Sequence, residues 1–140
     1  MRKLVIIPTY NEKENISAMI DKVFSLPEPF EMLVIDDGSP DGTAAIVKRL
    51  QADEFAGRLH LIERKGKLGL GTAYITGFKW SVEQKYDYVF EMDADFSHNP
   101  KDLLRLYDAC AHQGADVAIG SRYISGVNVV NLSLIHISEP

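Results

Sequence analysis

The chain contains little of what marks several common classes of protein. Cys110 is the only cysteine among its 140 residues, which excludes an internal disulfide or a thiolate metal cluster and fits a reduced, cytosolic setting. No apolar run approaches the ~20 residues that a membrane-spanning helix requires, and the N-terminus leads directly into a strand pattern without a signal peptide. We therefore expect a cytoplasmic protein that reaches any membrane substrate from the surface, or through a segment not present here.

Positive charge is also scarce. Lys and Arg total 15 against 20 Asp and Glu, a net charge of −5, and no basic run offers a footprint for a nucleic-acid backbone. Internal repeats, low-complexity stretches and linkers are missing too. The composition, 46% hydrophobic and 25% charged, is that of an ordinary globular protein. These observations predict one globular domain that does not bind nucleic acid.

What the chain does contain is a regular alternation of short apolar runs and helical patterns. The predicted strands are residues 3–7, 32–35, 59–62, 88–93 and 117–119. The first predicted helix begins at Asn11, where Glu14 gives an N-cap signal. The other three cover residues 43–55, the segment from the glycine-rich stretch 66–71 to about 85, and residues 100–111. Such alternation favours a mostly parallel sheet with helices on both faces.

Polar clusters follow four of these strands. They are Pro8 to Glu12, Asp36 to Ser39, Asp93 to Asp95, and Gly120 to Tyr123. Because ligands bind beyond the carboxyl ends of the strands in such a sheet, we expect the four clusters to form one site.

Asp93 and Asp95 are the most informative pair. Two acids separated by one residue at the end of a strand can direct several oxygens at one point, which suits Mg²⁺ or Mn²⁺ bridging to phosphates. A diphosphate leaving group needs that neutralisation, so the pair suggests chemistry on a sugar nucleotide. An ordinary exposed turn is the alternative. His98 could add a ligand, although a turn or cap residue before a helix is the simpler interpretation.

The segment from Asp36 to Thr43 is rich in turn formers, and Asp41 or Thr43 could cap the next helix. A turn does not explain two adjacent acids at the end of a buried strand, where like charges repel. We expect one of the two to accept hydrogen bonds from a nucleobase or ribose, and Asp37 is the preferred candidate.

The remaining unusual residues have competing interpretations. Residues 66–71 lack the pattern of a phosphate-binding loop and predict a tight, mobile start to the next helix. The Ala73, Tyr74, Phe78 and Trp80 side chains of that helix are predicted to be core, as is Cys110. Arg122, directly after a strand, is placed either to pair with a phosphate or to form a surface salt bridge.

Five stretches together resemble the dolichyl- or polyprenyl-phosphate mannosyltransferases, which are family 2 inverting glycosyltransferases. They read VIIPTYNEKENI, VIDDGSPDGTA, KLGLGTAYITGFK, EMDADFSHNPKDL and IGSRYISG. The resemblance runs from about Leu4 to Asn131. It implies a GT-A fold, a Rossmann-like nucleotide-sugar-binding sheet domain, with GDP-mannose as donor and a polyprenyl (dolichyl-type) phosphate at the membrane surface as acceptor.

The resemblance also implies roles for individual residues. The nucleotide would be bound by Pro8, Tyr10, Glu12, Ile35 and Asp37. The diphosphate would lie against Asp93, Ala94 and Asp95. Mg²⁺ or Mn²⁺ would be held by Asp93, Asp95 and Ser97. Arg122 would bind a phosphate of donor or acceptor, and Asp95 and Arg122 would be the catalytic residues.

The expected reaction is one displacement with inversion, assisted by metal, at the cytoplasmic face of the membrane. Residues 132–140 depart from the family pattern, so we expect a domain over residues 1–131 that lacks the acceptor side, followed by a non-family tail. A membrane-anchoring segment or subunit would also lie outside this chain. Two alternatives remain open: a glucosyl- or other glycosyl-phosphate lipid synthase, and a non-catalytic fragment that binds nucleotide sugar.

Overall fold

A computed structural model describes residues 2–66, 69–96, 99–111, 117–119 and 128–131 of the chain. The strands within these residues are β1 (Lys3–Thr9), β2 (Glu31–Asp36), β3 (Leu59–Glu63), β4 (Tyr88–Glu91), β5 (Val117–Ile119) and β6 (Asn128–Asn131). The helices are α1 (Ile16–Phe24), α2 (Thr43–Asp53), α3 (Leu70–Glu83) and α4 (Asp102–Ala111).

The strands form a six-stranded sheet in the order β3-β2-β1-β4-β6-β5. The neighbours from β3 to β4 are parallel, whereas β6 runs antiparallel to both β4 and β5. The mostly parallel sheet is therefore confirmed. The strand β6 is absent from the prediction because four residues, Asn-Val-Val-Asn, carry a weak strand signal on their own. Hydrogen bonding to β4 on one side and to β5 on the other stabilises β6 as a strand despite its weak local signal.

The two faces of the sheet carry different numbers of helices. Along β1, Val5 and Ile7 face a core cluster that also holds buried residues of α1, α2 and α4. Leu4 and Ile6 face a second cluster formed with α3. This period of two is what a strand buried on both faces requires. The prediction of helices on both faces is confirmed.

The helix α3 packs very closely on the sheet. A Cβ at Gly77 would lie 2.8 Å from the Cγ2 of Ile6 and 2.9 Å from the Cδ1 of Ile35. A glycine therefore allows α3 to approach β1 and β2 and fixes the position of its first turns over the sheet.

The predicted start of the first helix at Asn11 is wrong, because α1 begins at Ile16. Asn11 lies in the left-handed region with φ 55°, and its amide donates to the Oγ of Ser39 at 2.8 Å. An N-cap residue has an extended backbone, which the left-handed conformation of Asn11 excludes, and the contact with Ser39 belongs to that conformation. A tertiary contact therefore overrides the local N-cap signal.

The other boundaries agree with the prediction to within about two residues, the usual uncertainty of helix and strand ends. The strand β4 ends at Glu91, so Asp93 lies in the following turn. Among the described residues, we find no helix that is both long and apolar enough to cross a membrane.

Candidate functional site

A cavity of about 230 Å³ lies at the carboxyl ends of β1, β2 and β4. Its described lining consists of Pro8, Thr9, Tyr10, Glu12, Asp37, Gly69, Asp93, Ala94 and Asp95. Three of the four predicted polar clusters therefore meet at one point. The fourth, residues 120–123, lies outside the described residues.

The loop after β1 is held by the loop after β2. The amide of Glu12 donates to the Oγ1 of Thr43 at 3.0 Å, and the amide of Lys13 donates to an oxygen of Asp41 at 3.1 Å. Asp41 and Thr43 therefore do more than stabilise the turn after β2. They hold the segment that contributes Tyr10 and Glu12 to the cavity.

The adjacent acids Asp36 and Asp37 have separate environments. Asp36 is buried and accepts hydrogen bonds from the hydroxyl of Thr9 at 2.7 Å, and from the amide and hydroxyl of Ser39 at 3.0 and 2.6 Å. Its oxygens tie β1 to the loop after β2, a structural role. Asp37 lines the cavity, so it is the member of the pair that can meet a ligand.

Asp37 is paired with Arg64, which the sequence analysis missed. The Nε and an Nη of Arg64 donate to the two carboxylate oxygens at 2.7 and 2.9 Å, and both side chains are only 9% exposed. Arg64 also donates to the Thr72 hydroxyl at 3.1 Å and the Gly69 carbonyl at 3.2 Å. This bidentate pair fixes the orientation of the Asp37 side chain and, through Thr72 and Gly69, links the end of β3 to the start of α3.

A signal for Arg64 was present in the sequence. It is the first residue after β3, and the carboxyl ends of parallel strands were the criterion that selected the other site residues. The residues that follow the third strand are charged but contain no acid pair, so they resemble an ordinary exposed loop more than the polar clusters after the other four strands do.

Asp93, Ala94 and Asp95 form a tight turn directly beyond β4. Ala94 is buried, Asp93 is partly buried and Asp95 is exposed, so the two carboxylates are separated by a residue that packs inward. Phe96 follows with φ 61°, a conformation that is unusual and strained for an aromatic residue. The strain lies immediately beside the acid pair, where functional sites commonly hold it.

Tyr74 also reaches the site from α3. Its hydroxyl donates to the Oδ1 of Asp93 at 3.3 Å, while its ring packs against the second core cluster. The core prediction therefore describes the ring and misses the hydroxyl. Burial raises the pKa of Tyr74 far above its usual range, and the nearby carboxylates of Asp93, Glu91 and Asp95 raise it further. The hydroxyl thus acts as a hydrogen-bond donor to Asp93 and not as an acid.

The acid pair fits a cation shared with a phosphate better than one held by the protein alone. Within the described ranges, no group of three or more His, Cys, Asp or Glu side chains could hold a metal ion. Two carboxylates on one cavity wall, completed by phosphate oxygens and water, match the way Mg²⁺ is usually bound beside a substrate.

The structure does not bring every predicted residue to the cavity. The side chain of Ile35 is fully buried in the second core cluster, so only its main chain could approach a nucleotide. Ser97, His98 and Arg122 lie outside the described residues. The roles predicted for them remain predictions.

Comparison with known proteins gives a family and two named relatives. A sequence model described as "Glycosyl transferase family 2" matches residues 4–138. Polyprenol monophosphomannose synthase of Mycolicibacterium smegmatis is 49% identical over 134 residues, covering 93% of this chain and 48% of that protein. Undecaprenyl-phosphate mannosyltransferase of Micrococcus luteus is 44% identical over 131 residues, covering 94% and 52%. The chain thus spans about half the length of these curated relatives.

Solved structures share the fold. A mannosyltransferase from Pyrobaculum calidifontis, solved with GDP-Man and Mn²⁺, superposes with a TM-score of 0.78 at 21% identity, covering 95% of this chain and 45% of that one. Glucosyl-3-phosphoglycerate synthase from Mycobacterium tuberculosis, solved with Mn²⁺, UDP and glucosyl-3-phosphoglycerate, gives 0.70 at 19% identity, covering 95% and 57%. The fold is therefore GT-A-like, as the resemblance implied. The matched range 4–138 enters the predicted tail, and the boundary at residue 131 stays a prediction.

Proposed function

We propose, from the premise that this chain belongs to glycosyl transferase family 2, that it binds GDP-mannose at the carboxyl edge of its sheet. The whole protein would transfer the mannose to a polyprenyl phosphate. The observation that carries the proposal is the meeting of three acidic or polar loops at one cavity. The names of two relatives with 49% and 44% identity support the choice of sugar and acceptor.

On the donor side, we assign the cavity walls to different parts of the nucleotide sugar. Tyr10 and Glu12 come from the loop after β1 and Asp37 directly follows β2, which suits the nucleoside. Asp93 and Asp95 lie on the other wall and suit the diphosphate together with Mg²⁺ or Mn²⁺. When bound, the cation would neutralise the negative charge of the leaving group.

The chemistry then requires little of the protein beyond positioning. An oxygen of the lipid phosphate attacks the anomeric carbon from the face opposite GDP, the bond from that carbon to the GDP oxygen breaks, and the configuration inverts. The attacking phosphate is already anionic near neutral pH, so no strong general base is needed. Asp95 and Arg122 are the proposed catalytic residues, one on the diphosphate and one on a phosphate of donor or acceptor.

The acceptor determines where the protein would work. A polyprenyl phosphate presents its phosphate at the membrane surface, so we propose a peripheral location at the cytoplasmic face. The named substrates of the two curated relatives support this assignment.

The sugar is tested by titration. GDP-mannose, GDP-glucose and UDP-glucose, each added to the chain with Mn²⁺, separate recognition of the base from recognition of the sugar's C2 configuration. We expect GDP-mannose to bind most tightly. Tighter binding of GDP-glucose would favour the glucosyl-phosphate lipid synthase of the same family, and tighter binding of UDP-glucose would contradict the nucleotide assignment.

A second candidate function is donor binding without transfer. The observation that favours it is the span of the chain, 48% and 52% of the two curated relatives. Positioning an attacking group can be worth ~7–11 kcal/mol of barrier. We expect this chain to give little or no product from radiolabelled GDP-mannose, short polyprenyl phosphate and Mn²⁺. Turnover comparable to that of the Mycolicibacterium smegmatis relative would exclude this second candidate.

A further inference from the structure

We infer that Tyr74 is a positioning residue for the donor site: its hydroxyl fixes the rotation of the Asp93 carboxylate where that carboxylate lines the cavity. The inference rests on the proposed function, because it concerns how the same site binds a cation and a diphosphate. Tyr74 would act through Asp93 and need not touch the donor.

The position of the Tyr74 hydroxyl is set by the core of the protein. Tyr74 lies in the second turn of α3, and its ring packs against the cluster that includes Leu33 and Ile35. Asp93 lies in the turn beyond β4, outside regular structure. The hydrogen bond between them therefore anchors a loop carboxylate to a group that is held by a helix packed on the sheet.

The chemistry suits a positioning role. A tyrosine hydroxyl offers one hydrogen, and a carboxylate that accepts it on one oxygen loses rotational freedom. The separation of 3.3 Å is long, and such bonds often tighten only when the ligand binds. Partners of this kind, one step behind a metal ligand, orient it, and their loss typically weakens metal binding about tenfold or more.

The helix α3 also supports Asp37, on the nucleoside side of the cavity, through Thr72 and Arg64. Thr72 accepts from Arg64, which in turn holds Asp37. Two neighbouring residues of α3 thus support the nucleoside side and the diphosphate side separately. Removal of the Tyr74 hydroxyl should affect the diphosphate and cation, and leave the nucleoside unaffected.

The test compares ligands that use different walls of the cavity. Tyr74→Phe removes the hydroxyl and keeps the ring. We expect the affinity for Mn²⁺ in the presence of GDP, read from the free Mn²⁺ signal in electron paramagnetic resonance, to fall about tenfold. The calorimetric affinity for guanosine should stay within about twofold of the unsubstituted chain.

Tyr86→Phe is the matched control. Tyr86 donates its hydroxyl to the carboxylate of Glu31 at 2.6 Å, at the opposite end of the sheet. Its removal should lower stability without changing the Mn²⁺ affinity. A double variant with Asp93→Ala adds a second check, since Tyr74→Phe should have no further effect once its carboxylate partner is gone.

Each outcome decides the matter. Unchanged Mn²⁺ affinity in Tyr74→Phe, equal losses for GDP and guanosine, or additive losses in the double variant would each overturn the positioning role. Failure of the unsubstituted chain to bind GDP-mannose or guanosine at all would instead overturn the proposed function, and this inference with it. If Tyr74→Phe does not fold, Tyr74→Trp and Tyr74→Leu also lack the hydroxyl, and loss of Mn²⁺ affinity with guanosine affinity retained in either variant that folds supports the role, whereas loss of both overturns it.

Discussion

Acidic residues lie at both ends of the sheet, and the two ends differ in what the acids face. Glu31 is the first residue of β2 and Asp36 the last, with Asp37 directly after it. At the amino end, Glu31 accepts hydrogen bonds from Tyr86 at 2.6 Å, from His60 at 3.1 Å and from Arg2 at 3.4 Å. At the carboxyl end, Asp37 and three further acids, Glu12, Asp93 and Asp95, line a cavity.

The amino-end cluster consists of Glu31, Arg2, His60 and Tyr86, whose side chains interact with one another. The guanidinium of Arg2 lies 4.0 Å from the centroid of the Tyr86 ring, and that ring stacks on Trp80 at 5.8 Å. Burial alone would raise the pKa of Glu31, but hydrogen bonds from Tyr86, His60 and Arg2 together hold it below its usual range. Every described member of the cluster has another member as a partner, which is the arrangement of a stabilising network.

Two of the carboxyl-end acids, Asp37 and Asp93, are also partnered, but their partners Arg64 and Tyr74 are not among the residues that line the cavity. Arg64 supports Asp37 and Tyr74 supports Asp93, while both carboxylates still line the open space. The lesson is that an acid's residue type and its burial do not separate a binding role from a stabilising one. The two roles are separated by whether the acid still lines a cavity when its partners are in place.

The largest effect on this comparison should come from Arg64→Ala. It would leave Asp37 without its cation in a site where both side chains are 9% exposed, and breaking such a pair typically costs about 3–5 kcal/mol. Urea unfolding measures the loss. The exposed pair of Lys48 and Glu63, 2.9 Å apart, supplies a control, because Lys48→Ala should cost less than about 1 kcal/mol. Equal costs for the two variants would contradict the buried role of Arg64.

A smaller effect is expected from Glu31→Gln at the amino end. At neutral pH the loss of the charged acceptor should cost about 1–2 kcal/mol, with donor binding unchanged. Because the folded pKa of Glu31 is lowered, its contribution is present above the unfolded pKa of about 4.5 and is lost as the pH falls below that value through the lower folded pKa.

The pH dependence makes this prediction sharper. Urea unfolding from about pH 7 to about pH 3 should show the two stability curves converging on the acid side. A difference between chain and variant that stays constant across the range would mean that the charge of Glu31 does not contribute.

The smallest expected effect is that of Arg122→Lys, which tests whether Arg122 belongs to the carboxyl-end site. Arg122→Lys keeps the charge but removes the planar fork, so the affinity for GDP should fall about threefold to tenfold. Guanosine, which has no phosphate, should be affected less. Calorimetry with both ligands measures the difference, and equal losses would mean that Arg122 supports the fold and does not bind phosphate.

Much of this architecture could be predicted from the sequence because its signals are local. Continuous apolar runs such as Leu4 to Ile7 predict strands buried on both faces, and the rule for carboxyl ends then selects Tyr10, Asp37 and Asp93. The resemblance added the family. The acid that lines the cavity, Asp37 and not Asp36, was also the preferred one.

The errors share one physical cause, contact between segments distant in sequence. The helix α1 begins at Ile16 and not at Asn11, whose backbone is left-handed and bound to Ser39 of the loop after β2. Arg64 and Tyr74 were missed because their significance depends on carboxylates 27 and 19 residues away. The position of Arg64 directly after a strand is visible in the sequence, but its pairing with Asp37 and the pairing of Tyr74 with Asp93 are not.

The most direct test of the central claim, that the carboxyl-end acids bind a cation and a nucleotide sugar, is calorimetric titration of GDP-mannose with Mn²⁺ and with a chelator. We predict that Mn²⁺ strengthens binding to the chain and to the control Asp53→Asn, which alters an exposed acid of α2. In Asp95→Asn the affinity should fall and the Mn²⁺ enhancement should largely disappear. An undiminished Mn²⁺ enhancement in Asp95→Asn would contradict the claim.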